Sequence, residues 1–191
     1  AVHDDFVVRM IAAMKAMKVG HALKEDTQIG PTVSAEQLNS NLDYIQLARE
    51  EGCKVACGGV RLNLDTDGYF MSPALLIGSS NDMRVNREEM FGPIACVIKV
   101  GSYEEALAAA NDTEFGLTAG IITDSLARAT HFRRNVETGC VMVNLPTAGT
   151  DYHVPFGGRK NSSFGSREQG RYAVEFFTQV KTSYLRAGAP I

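Results

Sequence analysis

The sequence predicts an α/β fold built on a parallel sheet, and three observations predict it. Segments of helical and of strand period alternate along the chain, the pattern of helices laid against a sheet. Ile94 to Val100 is a near-continuous apolar run, which suits a strand buried on both faces. From Ile94 to Asn144 the rhythm is β-α-β-α-β, and right-handed crossovers wind such a rhythm into a parallel sheet. A length of 191 residues fits one domain, or one and a fraction, with a core that needs no disulfide staples.

Each element has a local reason. From Asp4 to about Lys18, Phe6, Met10, Ala13, Met14 and Met17 fall on one helical face, and Gly20 can end the helix. Gly30-Pro31 is a turn. Ser34-Ala35-Glu36-Gln37 has capping-box form and opens a helix with Leu38, Leu42 and Ile45 on one side and Gly52 at its end. Val55 to Cys57 is a short strand. Tyr69 to Ile77 is a strand broken by Pro73, hence an edge or a bulge. Ser102-Tyr103-Glu104-Glu105 is a second capping box, before a helix to about Asn111. Thr118 to Thr123 is strand-like, Asp124 to Val136 helical, and Gly139 to Asn144 another buried strand. A long loop, Leu145 to Phe164, is rich in Gly, Pro, Ser and Thr. Ser166-Arg167-Glu168-Gln169 caps a last short helix with Tyr172, Ala173 and Phe176. Thr178 to Leu185 alternates like an exposed strand, and an unpaired terminal strand is an open edge that natural proteins cover.

Composition excludes several function classes. With 45% hydrophobic and 21% charged residues and a net charge of −3, the chain offers no basic footprint for nucleic acid. No apolar run approaches the ~20 residues that span a bilayer, so no membrane partner is expected. The acidic opening Ala1-Val2-His3-Asp4-Asp5 is unlike a signal peptide. The four cysteines are Cys53, Cys57, Cys96 and Cys140. Cys96 and Cys140 sit in β-like apolar runs, where cysteine behaves as a small hydrophobe. Cys53 and Cys57 are too widely spaced for a zinc knuckle, and no histidine pair follows. Reduced, structural thiols in a cytoplasmic protein are expected, and no metal.

Two segments carry a family resemblance. One is Glu88-Glu89-Met90-Phe91-Gly92-Pro93 followed by the apolar run from Ile94. The other is Pro155-Phe156-Gly157-Gly158-Arg159-Lys160, running through Ser163, Gly165, Arg167, Glu168 and Gly170 to Thr182-Ser183-Tyr184. Between them lie Asn111-Asp112-Thr113-Glu114-Phe115-Gly116-Leu117 and Gly139-Cys140-Val141-Met142-Val143-Asn144. In this order and spacing the chain resembles the aldehyde dehydrogenase superfamily over essentially its whole length. Asn144 to Gly149, Tyr152-His153-Val154 and Ser162 to Gly165 look most like the α-ketoglutaric semialdehyde dehydrogenase branch. Ser163 and Ser166 depart from the family pattern, which has glycines there.

The resemblance implies the C-terminal part of a parallel-sheet αβα catalytic domain, incomplete, over 1–176, with a C-terminal strand and tail over 177–191 that completes a sheet in a neighbouring subunit. A homodimer or homotetramer is then expected. It also implies oxidation of an aldehyde, including a carboxylated semialdehyde, to a carboxylic acid with NAD or NADP. A cysteine thiolate attacks the carbonyl, hydride leaves to the nicotinamide, and water hydrolyses the thioester. The family's cysteine nucleophile and general-base glutamate lie N-terminal to the matched segments. None of the four cysteines here sits in the family's Gly-Gln-x-Cys loop, and no Gly-x-Gly-x-x-Gly or P-loop run occurs. The dinucleotide-binding domain is expected to be absent from these residues, and the chain alone to be inactive. The alternative is a catalytically silent assembly module or a truncated pseudoenzyme.

Three residues match the family's cofactor contacts. Glu89 matches the glutamate that accepts the hydroxyls of the nicotinamide ribose, a task suited to an acceptor-only carboxylate; read alone, Glu88-Glu89 is a solvated acidic pair. Phe91 matches the aromatic near the nicotinamide; read alone, it is core. Gln37 aligns with a more peripheral contact, although its place in the capping box already accounts for it. On the substrate side Phe156 matches an aromatic lining the aldehyde tunnel, or else buttresses the Gly-Gly turn. The loop Leu145 to Val154 aligns with the variable lip of that tunnel. Thr147, Tyr152, His153 and Arg159 are candidates to hydrogen-bond or balance a carboxylated aldehyde. His153 alone reads equally as a structural histidine, and Arg159-Lys160 as a solvated pair.

Overall fold

The computed structural model describes residues 2–188. The chain divides into two compact units that part between Ala106 and Leu107.

In the first unit the helices are α1 (His3–Ala16), α2 (Ala35–Glu50) and α3 (Arg84–Arg87), and the strands are β1 (Lys54–Cys57), β2 (Arg61–Leu62), β3 (Phe70–Met71), β4 (Ala74–Ile77) and β5 (Ile94–Val97). A three-stranded sheet runs β1-β4-β5, antiparallel between β1 and β4 and parallel between β4 and β5. The two-residue alternation of β4 divides its side chains between two cores. Ala74 and Leu76 join Ile45, Ala48 and Cys53 beneath α2, while Leu75 joins Val7, Met14 and Cys57 beneath α1. The sheet is thus sandwiched between α1 and α2, an αβα layering. Cys53 and Cys57 lie in separate cores, which removes them from one another as metal ligands.

Helix α2 starts where its cap predicts. The Ser34 hydroxyl accepts from the Gln37 N–H at 3.2 Å, and Gly52 follows α2 with φ +96°, a left-handed end that glycine adopts without strain. The buried face of α1, however, is Val7, Met10, Ile11 and Met14; Phe6, Ala13 and Met17 are exposed. The face is rotated from the expected one because Val7 and Ile11 meet the sheet.

Pro73 breaks Tyr69–Ile77 as expected, but the consequence differs. With no N–H to donate, it is the point where the chain changes partner: β3 pairs with β2 before it, and β4 enters the main sheet after it. The strand so released is no edge but the centre of the sheet, with Ala74, Leu75 and Leu76 all 0% exposed. The bulge sits opposite, in β1 between Val55 and Cys57. The long apolar run contributes only Ile94–Val97 as β5. Both of its faces are packed, yet each residue is only half-buried, because hydrogen bonding pairs it on the β4 side.

The second unit takes up from α4 (Tyr103–Asn111), capped by Ser102 Oγ, which accepts from the Glu105 N–H at 3.1 Å. It contains β6 (Thr118–Ile121), α5 (Leu126–Asn135), β7 (Cys140–Val143) and α6 (Ala173–Phe177). β6 and β7 pair in parallel, Thr118 opposite Cys140. Ala129, Phe132 and Val136 form the buried face of α5 and its end. The expected β-α-β-α-β rhythm is present, but its hydrogen bonds fall into two separate parallel pairs, β4/β5 and β6/β7.

One expectation near the C-terminus is corrected, and a second finds no pairing partner among the described residues. Ser166 caps no helix; the segment after it is drawn into an antiparallel bridge, Glu168 with Phe156, and α6 begins only at Ala173. The segment 178–185 forms no strand, and Val180, Tyr184 and Leu185 are 95–97% exposed. A strand needs a ladder partner, and among the described residues it has none. Positions 189–191 of the expected tail lie outside the described residues.

Candidate functional site

In the first unit, the Glu88–Pro93 segment leaves the end of α3 and passes over α2. Glu51 secures the start of α3, its carboxylate accepting from the Arg84 N–H at 2.9 Å. Glu88 is then held from two sides. Arg84 donates to it through Nε at 2.6 Å and Nη2 at 3.1 Å, and the Tyr44 hydroxyl donates at 2.8 Å. The Arg84 guanidinium, and after it the Tyr44 hydroxyl, hold the Glu88 carboxyl below its ordinary range. The same bond to Glu88, with some burial, pushes the Tyr44 phenol up.

Two residues on, Gln37 Nε2 donates to the Met90 carbonyl at 3.0 Å and the Phe91 carbonyl at 3.3 Å, and also to Asn41 Oδ1 at 2.9 Å. Asn41 is completely buried and stands directly under Gly92: a Cβ there would come within 2.5 Å of its Nδ2. The turn is left-handed at Phe91, φ +47°, an uncommon conformation for a residue with a side chain. It presents the Phe91 ring to solvent, 77% exposed. Between the two anchorages Glu89 is exposed, and no described residue hydrogen-bonds or ion-pairs with its carboxylate. Beside the Phe91 ring opens a hollow of about 570 Å³ lined by Pro31, Val33, Gln37, Met71, Phe91 and Pro93 among others, Glu89 not being one of them. The structure therefore brings Gln37, Glu89 and Phe91 to one turn, with Gln37 bonded to its backbone.

In the second unit the Pro155–Lys160 loop is pinned at each step. The Phe156 N–H donates to the Glu168 carbonyl at 2.8 Å, and the reverse bond is 2.9 Å. The Gly158 N–H donates to Ser163 Oγ at 2.6 Å, and Arg167 donates to the Gly158 carbonyl. Ser163 adopts φ −157°, ordinary extended backbone, so the departure from glycine there costs no strain and supplies an acceptor. A Cβ at Gly139 would lie 1.8 Å from the Gly157 carbonyl oxygen, which is why only glycine fits where β7 begins. Lys160 Nζ donates to the carbonyls of Asn111 at 2.6 Å and Thr113 at 3.0 Å and pairs with Glu137 at 2.8 Å.

Within this unit a hollow of about 410 Å³ is lined by Cys140, Met142, Leu145, Pro146, Asp151 and Val154 among others. Thr147 and His153 are exposed on the same loop and Phe156 is half-buried just beyond it, but none of the three lines the hollow. His153 meets the Tyr152 ring edge-on at 5.5 Å. Tyr152 and Arg159 are also exposed.

The sequence profile of the aldehyde dehydrogenase family matches residues 1–183. The chain belongs to the aldehyde dehydrogenase family. The α-ketoglutaric semialdehyde dehydrogenase of Bacillus subtilis (strain 168) is 38% identical over 187 residues, 97% of this chain and 38% of that protein. The α-ketoglutarate semialdehyde dehydrogenase of Haloferax volcanii is 42% identical over 186 residues, 96% of this chain and 38% of that protein. Among solved structures, a mutant aldehyde dehydrogenase from Bacillus cereus superposes with a TM-score of 0.88 at 33% identity, covering 94% of this chain and 36% of that one. A mutant betaine aldehyde dehydrogenase from Staphylococcus aureus, in complex with NAD+, gives 0.87 at 31% identity, covering 92% and 36%. This aldehyde dehydrogenase chain thus spans 38% of the length of the curated relatives it matches.

The nicotinamide end of such a cofactor offers two neighbouring hydroxyl donors on its ribose and the flat nicotinamide ring itself. The exposed, uncommitted Glu89 carboxylate and the exposed Phe91 ring fit such a group. Sequence reasoning missed Tyr44, Asn41 and Arg84, which secure the turn. For Asn41 and Tyr44 the signal was the spacing 37, 41, 44 of polar or hydroxyl-bearing residues on one face of an otherwise amphipathic helix; Arg84 had none.

Proposed function

We propose that residues 1–191 form the part of an NAD- or NADP-dependent aldehyde dehydrogenase that grips the nicotinamide end of the cofactor and shapes the aldehyde entrance. The reading is carried by the Glu89 carboxylate, exposed and without a partner among the described residues, on a turn held through the Glu88 side chain on one side and the Met90 and Phe91 carbonyls on the other. Glu89 accepts the ribose hydroxyls, and Phe91 packs beside the ring and keeps water from it. The nicotinamide, when bound, supplies the hydride acceptor. Phe156, with Thr147 and His153 on the exposed loop before it, lines the way in for the aldehyde. The two α-ketoglutarate-type relatives and the exposed Arg159 support a carboxylated semialdehyde as substrate.

None of the chain's own thiols suits the nucleophile. Burial, with Cys53 nearby, pushes Cys96 up to about 11, and burial followed by Glu51 raises Cys53; a thiol so poised is almost entirely protonated at neutral pH. Cys57 is buried, and Cys140 is half-buried with its Sγ 3.8 Å from the Gly157 carbonyl. In this reading the cysteine nucleophile and the general-base glutamate are supplied by polypeptide other than residues 1–191. The exposed segment 178–185 completes a sheet with a second subunit, giving a homodimer or homotetramer.

The test is steady-state kinetics on the protein as its gene encodes it. Glu89→Gln is expected to raise KM for the dinucleotide on the order of tenfold, as loss of a charge-assisted acceptor does. An unchanged KM would sink the cofactor reading. Residues 1–191 purified alone should form no NADH from an aldehyde and NAD, and turnover by that chain would overturn the assignment of the nucleophile elsewhere.

A further inference from the structure

Gln37, Asn41 and Tyr44 are four and three residues apart, so they form one stripe along α2. All three act on the Glu88–Gly92 segment. Tyr44 bonds the side chain of Glu88, Gln37 bonds the carbonyls of Met90 and Phe91, and Asn41 accepts from Gln37 and fills the space beneath Gly92. The residues left without a bond of this kind are the two that face outward, Glu89 and the Phe91 ring.

The stripe shows a further sign of design for position rather than for stability. Asn41 is fully buried, and its Nδ2 has no hydrogen-bond partner. A purely structural helix face would carry an apolar residue there, because an unpaired buried donor disfavours folding. The Asn41 oxygen nevertheless fixes the Gln37 amide, and through it a turn that is left-handed at a phenylalanine. Strain of this kind persists where surrounding structure over-determines it, characteristically beside a binding site.

We propose that the α2 stripe of Tyr44, Asn41 and Gln37 is a positioning device that sets the direction of the Glu89 carboxylate and the Phe91 ring, so that α2 tunes cofactor affinity through side chains of which Tyr44 and Asn41 touch no cofactor. The proposal rests on the reading of Glu89 as a ribose contact. Tyr44 and Arg84 hold Glu88 like a bracket, Gln37 holds the backbone beyond it, and the single residue between them cannot swing away.

A double-mutant cycle tests this, read by NADH fluorescence titration on the protein as its gene encodes it, with thermal midpoint and the KM of the aldehyde measured alongside. Glu89→Gln should weaken NADH binding on the order of tenfold, and Tyr44→Phe about threefold to tenfold, the size of one lost hydrogen bond. The double variant should bind no more weakly than Glu89→Gln alone, since Tyr44 acts only through Glu89. The aldehyde KM should stay within about twofold. If Glu89→Gln binds NADH normally, the cofactor reading falls and takes the device with it. If Glu89→Gln weakens binding while Tyr44→Phe does not, or if the two effects multiply in the double variant, the cofactor reading stands and the positioning role is overturned. Asn41→Leu, which keeps the branched shape and removes the acceptor for Gln37, gives a second cycle with the same expectations if Tyr44→Phe does not fold.

Discussion

Asn41 and Gly92 face each other closely enough that each dictates the other. A methyl group at Gly92 would fall 2.5–2.6 Å from the three terminal atoms of the Asn41 side chain. Gly92→Ala is expected to cost about 1–3 kcal/mol by overpacking, measured by urea denaturation, and much of that should return in an Asn41→Ala background, where the methyl has room. If the two substitutions are additive, the contact does not govern the turn. Neither half of this pair was legible in the sequence. Asn41 reads as a polar interruption of a helix face, and Gly92 as the middle of a family motif; only the crossing of the turn over α2 joins them. Glu89 and Phe91, by contrast, are singled out in the sequence only by the distinctive motif around them, since a glutamate next to a glutamate and a phenylalanine before a strand have unremarkable roles on residue type alone; their contact with the cofactor is the reading proposed above.

At the scale of elements, the fate of β4 and β5 shows what pattern reasoning captures. Both read as strands in the sequence, but the longer apolar run marks β5 as the buried one, and Pro73 marks β4 as an edge or a bulge. Proline forbids a ladder bond only at its own position, and here it lies just before the ladder begins. Leu75→Ala and Leu76→Ala should each cost about 2–5 kcal/mol, as truncations in a filled core do. Ile94→Ala, at a half-buried position, should cost clearly less in the same urea denaturation series. The first helix was misread for a related reason: its apolar residues are numerous enough to define two overlapping faces, and the sheet selects the one with Val7 and Ile11.

The bracket around Glu88 gives these elements a pH dependence. Its carboxyl is held below the ordinary value of 4.5, first by Arg84 and then by Tyr44. A carboxylate with a lowered folded-state pKa contributes stability that is fully present above its unfolded value and is lost as pH falls through the folded one. Acidification below about 4.5 should therefore loosen α3 from α2. In Arg84→Met the Glu88 carboxyl should titrate closer to 4.5, followed by its side-chain NMR shift; an unmoved titration would show that the ion pair contributes nothing. For Cys96 the sign is opposite: its raised pKa of about 11 contributes stability at neutral pH that is lost only as pH climbs from about 9 through 11.

At the scale of the whole molecule, the α/β class and the family were both legible, the first from alternating periodicities and the second from motifs spread along nearly all of the chain. The pairing of the strands was not, because periodicity says how a strand is buried and nothing about which neighbour it takes. The same limit explains the C-terminal segment. Its alternation is real, but a strand exists only with a partner, and residues 178–185 have none among the described residues. Removing residues 178–191 from the protein as its gene encodes it is expected to lower the assembly's mass in light scattering while leaving the far-ultraviolet circular dichroism of the remainder in place. An unchanged mass would mean that the segment has no part in assembly.

The central strand has a kinetic corollary. The amides of Leu75 and Leu76 are flanked by strands on both sides and roofed by helices on both faces, so deuterium can reach them only when that whole sandwich comes apart. They should be the last protons of residues 2–106 to exchange, while Thr118 to Ile121, in the other unit, report on a separate opening event with its own rate. Two clocks in one polypeptide would mean that each unit can breathe while the other stays shut.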